Sequence, residues 1–463
     1  MTLANVKSNL NVFFNKHFSG ESMNYKTVIS IIIPILVDQS FVVCMNLLNT
    51  AMISSSGVSA VSAVNMVDSL NIFLVNVFIA VSTGGTVVVA QYKGSGNGPM
   101  VSKAAAGSIT SVFLLALAIS LTIIGLHNNV LDLLFGKAEA AVLTNARIYI
   151  IGSASSYCGI AVEEAVCGAL RGVGETKSSL TLSLIMNGIY VLLNFLFINT
   201  LHMGVYGMIT SMNISRYFAA VCAIIYLIKR NTSLDFHLRN LLTFDLSMLK
   251  RIMFIGIPFA AEQMFFNGGK ILTQTFIVSL GTYAMATNAI CNSIAQLFQI
   301  PANALSLSVV TVVGQCMGKR NIKDARKFIK SFIFLSSFSF MVMFALIMPF
   351  YRPLVSLFHP PEEIIPTIFI ILIINAIAQI PLWSASFITP SALRAAGDSK
   401  FTSMVSMLSM WLFRVVLGYI LGILLPFGIV GVWVAMDCEW GVRATIFLLR
   451  YKGKKWYQHH LID

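Results

Sequence analysis

Apolar residues fall along the chain in long runs, separated by short polar stretches. Twelve runs reach the ~20 residues that a helix needs to cross a hydrocarbon core of ~30 Å. They span 27–53, 59–91, 104–126, 141–169, 178–201, 205–228, 252–280, 283–315, 331–350, 364–391, 401–425 and 429–449. None alternates with the two-residue period of a barrel strand. Lipid offers no partner for free N–H and C=O groups, so only helices and closed barrels span it. The pattern predicts an all-α integral membrane protein with twelve transmembrane helices.

The pattern also repeats. Displaced by 224 residues, the sequence meets itself without a gap: Pro34 meets Pro258, Asp38 meets Glu262, Gln39 meets Gln263, Gly57 meets Gly281, Gln91 meets Gln315, and Asn97 meets Asn321. ALRGVGETK at 169–177 meets ALRAAGDSK at 392–400 one residue earlier, and GVYG at 204–207 meets GIVG at 428–431 at 224 again. Register held over so much of each half marks a true internal repeat. Each half has an even number of spans, so both enter from the same side and the two six-helix repeats are parallel. That arrangement predicts two lobes around a central cleft, with the ligand site between them near the midplane. The chain then divides into an N-terminal segment at 1–26, an N-lobe at 27–228, an inter-lobe loop at 229–251, a C-lobe at 252–449 and a tail at 450–463.

Composition agrees with a membrane protein. The 463 residues are 57% hydrophobic and 11% charged, against about 25% charged in soluble domains. The net charge of +13 is distributed by topology. The terminal segments and even-numbered loops hold 24 of the 31 Lys and Arg, and the odd-numbered loops hold only Lys137 and Arg352. The positive-inside rule then places both termini in the cytoplasm of a multi-pass plasma-membrane protein. It also accounts for the basic charge without a nucleic-acid partner. Residues 1–26 have no apolar segment of the kind a cleaved leader carries. The seven Cys and seven His show no metal-ligand spacing. No HExxH, GxSxG or phosphate-cradling GxxxxGK[ST] occurs, so neither an intramembrane enzyme nor an ATP-driven pump is expected.

Polar residues inside the spans are the candidate chemistry, because a charge in hydrocarbon is costly and is by default functional. The string IIIPILVDQS places Asp38 and Gln39 about eleven residues into the first span, one turn after Pro34. Glu262 and Gln263 stand in the same relation to Pro258. Asn49, eleven residues beyond Asp38, lies about 20° away around the helix and shares its face. Asp68 in the second span has Asn292 as its repeat mate. Asn292 belongs to a stripe with Asn288, Gln296, Gln299 and Asn303 at helical spacing. Glu163 and Glu164 sit near the end of the fourth span, 100° apart, with Arg171 in reach of one of them. Asp437, Glu439, Arg443 and Arg414 are expected to pair within the last two spans. Gly84 and Gly85 are expected to let helices approach closely. The candidate ion-coupling or substrate-binding set is Asp38, Glu262, Gln39, Gln263, Asn49, Asp68, Asn292, Gln296 and Glu163.

Several motifs resemble the multidrug and toxic compound extrusion (MATE) family. They are the early Pro of each half followed in the first by TAMISSSG, TGGTVVVAQYKGSGN and VVTVVGQCMGKRN closing the second helices, LRGVGETK and LRAAGDSK, and GVWVAMDCEWGVR in the last helix. The resemblance covers roughly residues 27–456. It implies alternating access and export of organic cations or amphiphilic drugs, driven by inward Na⁺ or H⁺ with no further cofactor, by a protein working as a monomer in lipid. Na⁺ at Asp38 is the one metal ion it admits. Two acids of the family are absent here: Asn49 stands where many bacterial members have one, and IPLWSASFITPSA, with Trp383, stands where some members have an acid in the tenth helix. A flippase for lipid-linked precursors is the alternative with the same two-lobe fold.

Overall fold

The computed structural model describes residues 11–12, 14–53, 58–135, 140–229, 233–234, 236–237, 239–242, 245–459 and 461–462; the side chains of 46–53, 58, 59, 61, 133–135 and 242 lie outside that description. Among the described residues the regular structure is helical throughout, without a strand. The helices longer than two turns are α1 Tyr25–Ile53, α2 Val58–Ser95, α3 Gly98–Phe135, α4 Ala140–Ser155, α5 Tyr157–Val173, α6 Thr176–Asn194, α7 Gly204–Lys229, α8 Leu246–Ser279, α9 Thr282–Gly318, α10 Ile322–Ile347, α11 Ile365–Ala378, α12 Ser384–Ala395, α13 Ser399–Ser409 and α14 Gly428–Lys452. The fourth apolar run is met by α4 and α5 in succession. The tenth is met by α11 and α12, joined through a π-helical turn at Gln379–Trp383. Three further π turns occur: Phe195–Thr200 extends α6, and Met410–Leu417 and Ile420–Leu424 extend α13. The twelve runs and the twelve-helix, two-repeat fold are thus present.

Among the described residues, nine helical stretches are long and apolar enough to cross a membrane on length and composition alone. The fourth, seventh and twelfth runs are outside that set. They are the runs that hold Glu163 and Glu164, Glu262 and Lys270, and Asp437, Glu439 and Arg443. The fourth falls short because it is divided into α4 and α5, of 16 and 17 residues, whereas the seventh and twelfth are met by single helices of 34 and 25 residues whose apolar signal is diluted by charge.

Sequence repeat becomes structural repeat at the helix ends. Gly174 adopts φ 92° after α5, and its N–H and that of Glu175 donate to Arg171 O and Leu170 O. Gly397 adopts φ 102° after α12, with its N–H and that of Asp398 donating to Arg394 O and Leu393 O. Both are left-handed stops that satisfy the last carbonyls of a helix, a conformation glycine adopts without a Cβ penalty. Asn97 and Asn321 likewise accept from the N–H three residues on, at Met100 and Asp324, the usual side-chain cap of a helix start.

The chain forms two compact units, Ile33–Ala260 and a second made of the residues through Ile32 with Ala261–Asp463. In the first, α2 and α5 are central and pack on α3, α4 and α7. Val87, Val88, Val89, Ala165, Val166 and Leu170 are fully buried there. Gly84 lets α2 meet the first half of α8: a Cβ added to it would stand 2.6 Å from Ile252 O and 3.0 Å from Gly256 N. In the second unit, α9 and α12 hold the corresponding central place, against α10 and α14. The N-terminal segment docks on α10. Phe18 is buried against Phe332, Ser331 donates to His17 O, and Ser22 N–H donates to Asp324 at 2.6 Å. The tail docks beside it through buried Trp456 and through Arg326, which donates to Gly453 O. Exposed Leu192, Phe195 and Val221 in the first unit, and Phe334, Leu346 and Leu412 in the second, give each an apolar outer surface, as lipid contact requires.

Candidate functional site

In the first unit α1 carries Pro34 inside the helix and Asp38 one turn later. Proline removes a backbone hydrogen bond at that point and disturbs the turn before it. Asp38 is partly buried, and its Oδ1 is enclosed without a hydrogen-bond partner. Ser183 of α6 lies beside the carboxylate, and Arg171 of α5 acts on it through its charge. Glu163 of α5 is 2% exposed and belongs to the same cluster, feeling the charges of Glu164, Arg171 and Asp38. Its Oε1 accepts from Cys167 Sγ at 3.2 Å. Arg171 pairs with Glu164 at 3.4 Å, the partnership expected for one of these two acids. Three carboxylates and one guanidinium thus share this part of the unit.

The second unit resolves the equivalent position differently. Glu262, the repeat mate of Asp38, is 4% exposed and pairs with Arg394, also 4% exposed, at 3.3 Å; Ser403 donates to the same carboxylate oxygen at 3.0 Å. Arg394 is the repeat mate of Arg171 at the displacement of 223. The residue that corresponds to Glu164 is Phe387. Where the C-terminal half lacks a competing acid, the arginine meets the first-helix carboxylate. Where the N-terminal half has Glu164, the arginine meets that instead, and Asp38 retains an unsatisfied oxygen.

A cavity of about 730 Å³ lies within the first unit, lined among others by Asp68, Asn71, Tyr149, Asn187, Tyr190 and Arg216. Asp68 Oδ1 accepts from Tyr149 OH at 2.8 Å and from Asn71 Nδ2 at 3.0 Å, and Tyr157 OH donates to Asn71 Oδ1 at 2.6 Å. These bonds fix the Asp68 carboxylate at the wall of the cavity. Asn187 links this site towards Asp38: it lines the cavity and donates to the backbone and hydroxyl of Ser183.

The remaining candidates fall separately. Gln39 and Gln263 are partly buried beside their acids, and Gln263 O accepts from Asn267. The side chain of Asn49 lies outside the described residues. Asn292 donates to Asn288 and lines a cavity of about 200 Å³ in the second unit; it and Gln296, one turn on, are both exposed. Arg414 and Arg443 both pair with Glu439, at 2.9 and 3.0 Å, as expected for the last spans. Asp437 instead accepts from Asn375 at 2.8 Å. Tyr149, Ser183 and Asn187 were not singled out by sequence. The four-residue spacing of Ser183 and Asn187 is the one signal that points to them, since it puts both on one helix face.

Comparison with known proteins supports this description. The MatE family model matches residues 34–196 and 258–420, once in each repeat. An uncharacterized transporter, YisQ of Bacillus subtilis, is 26% identical across 92% of this chain and 93% of its own length. A probable multidrug resistance protein NorM of Thermotoga maritima is 25% identical across 93% of each. Among solved structures, a MOP superfamily transporter from Pyrococcus furiosus superposes with a TM-score of 0.85 at 19% identity, over 92% of this chain and 95% of that one. An outward-facing multidrug resistance MATE family transporter gives 0.85 at 19% with the same coverage.

Proposed function

The chain belongs to the MatE family and is a multi-pass membrane transporter, and on that premise we propose that it exports organic cations or amphiphilic drugs by antiport with H⁺ or Na⁺. The observation that carries the proposal is Asp38. A carboxylate away from water is stable protonated or paired with a cation, and unstable as a bare anion. Asp38 has one enclosed oxygen without a partner, and the nearby Arg171 is engaged by Glu164. It is therefore ready to take a proton or a sodium ion, and to give it up when the surroundings change. Ser183 stands at hydrogen-bond distance to share that ion, and Glu163 acts on the site through its charge. Asp68, held by Tyr149 and Asn71 on the cavity wall, supplies the anion that draws a cationic substrate into the first unit. Loading at Asp38 and loading at Asp68 compete through charge, and that competition couples ion entry to substrate exit. The names of relatives such as the Thermotoga NorM agree with drug export. Both termini face the cytoplasm in this scheme, in keeping with the distribution of basic residues.

The test is transport by the full chain in liposomes under separately imposed pH and Na⁺ gradients, with ethidium as the cation. Asp38→Asn keeps the shape and removes the charge, so it should insert normally yet lose gradient-driven ethidium movement. Wild-type rates in a well-inserted Asp38→Asn protein would remove Asp38 from the mechanism.

A further inference from the structure

The cavity of the second unit sits at the repeat-equivalent place of the larger one in the first. Val64, Asp68, Met208 and Met212 line the first cavity, and Asn288, Asn292, Val432 and Met436, each 224 residues on, line the second. The fifth span contributes Tyr190 to one, and the eleventh contributes Arg414 to the other. The walls match in position and differ in charge. The second cavity has Asn292 where the first has Asp68, and no acidic residue lines it. It has Lys270 at the position of Asn46 and Arg414 from the eleventh span.

The cations around this cavity exceed their counter-charges. Lys270, Arg414 and Arg443 stand against two carboxylates: Glu439, shared by Arg414 and Arg443, and Asp437, which accepts from Asn375. Arg414 is buried, with its Nε left without a hydrogen-bond partner. Lys270 has no carboxylate partner among the described residues. It lies 5.0 Å from the centre of the Phe266 ring, with Arg414 over the same ring at 5.3 Å. Arg443 lies over that ring too, at 5.8 Å, and three like charges gathered in this way favour an anion beyond Glu439, which already pairs with Arg414 and Arg443; Lys270 is exposed where the cavity opens. The amides next to them are already oriented. Asn288 Oδ1 accepts from Trp433 and from Asn292, and Asn288 Nδ2 donates to Gln274 Oε1, which leaves the Gln274 amide N–H groups as donors.

We propose that this cavity binds a small organic carboxylate, with Lys270 and Arg414 meeting the anion and Gln274 donating to it. A volume of about 200 Å³ lies below the ~300–1,000 Å³ of sites for drug-sized ligands, so the occupant is small. The two lobes then offer sites of opposite polarity, one for a cation and one for an anion. This goes beyond drug–ion antiport and does not depend on it, because it is read by binding alone.

The experiment is calorimetric titration of the purified full chain in neutral detergent at pH 7, with benzoate as probe and benzamide as its uncharged counterpart. Benzoate should bind the wild type, and benzamide at least tenfold more weakly. Lys270→Gln leaves no carboxylate unpaired, so it should fold, and it should weaken benzoate at least tenfold, about 1.4 kcal/mol. Asn292→Asp places in this cavity the acid found at position 68 in the other, and should abolish benzoate binding. Absence of benzoate binding to the wild type, or equal binding to Lys270→Gln, overturns the proposal. Displacement of benzoate by phosphatidylglycerol but not by phosphatidylcholine would assign the site to a lipid headgroup and also overturn it.

Discussion

The contrast between Asp38 and Glu262 can be measured as stability. Glu262 and Arg394 are each 4% exposed, 3.3 Å apart, and Ser403 donates to the same carboxylate oxygen. Removing one member of such a pair leaves the other as an uncompensated buried charge, at a cost of about 3–5 kcal/mol. Glu262→Gln should therefore destabilise the protein by that amount. Removing both partners should cost much less, because replacing a buried pair by neutral side chains is often close to neutral. The Glu262→Gln/Arg394→Gln double variant should recover most of the loss, giving a coupling energy of at least ~2 kcal/mol in a double-mutant cycle. Asp38→Asn removes a carboxylate whose Oδ1 has no partner and leaves Arg171 with Glu164. It should change stability by less than ~1 kcal/mol, or raise it. The assay is thermal unfolding of the full chain and its variants in one detergent, with the cycle closed on the C-terminal pair. Equal destabilisation by Asp38→Asn and Glu262→Gln, or a coupling near zero between positions 262 and 394, would refute the asymmetry between the repeats.

Tyr149→Phe deletes the phenol that donates to Asp68 at 2.8 Å; hydrogen bonds to charged groups are worth about 1.5–3 kcal/mol, so apparent affinity for a cationic substrate in the transport assay should change while membrane insertion does not. Gly84→Val would drive a side chain into Ile252 O and the backbone of Gly256, and overpacking of this kind costs about 1–3 kcal/mol; a lowered unfolding temperature is expected, whereas at Gly98, where nothing lies within 4 Å, a Cβ should be tolerated. Cysteine labels at Ser95 and Ile322 should react only from the cytoplasm and labels at Asp132 and Pro360 only from outside; labelling of 95 and 132 from one side would refute the twelve-span topology.

The sequence by itself determined the spans, the repeat and the local stops. Apolar runs of membrane length leave the backbone no alternative to helix, so fold class follows from composition and period. Gly174 with Gly397, and Asn97 with Asn321, repeat their conformations because glycine stops and asparagine caps act within a few residues of themselves. The pairing within the last spans was also legible, since Glu439 and Arg443 are four residues apart on one helix. Only the tertiary structure decided which intramembrane acids are satisfied. Asp38 and Glu262 look alike in sequence, each one turn after a proline. Their difference arises from Glu164 and Phe387, residues more than a hundred positions away that decide where Arg171 and Arg394 turn. The opposite charge of the two cavities was hidden for the same reason. Lys270 and Arg414 are 144 positions apart, and they meet at one phenylalanine ring because helices pack by surface complementarity, which is blind to distance along the chain.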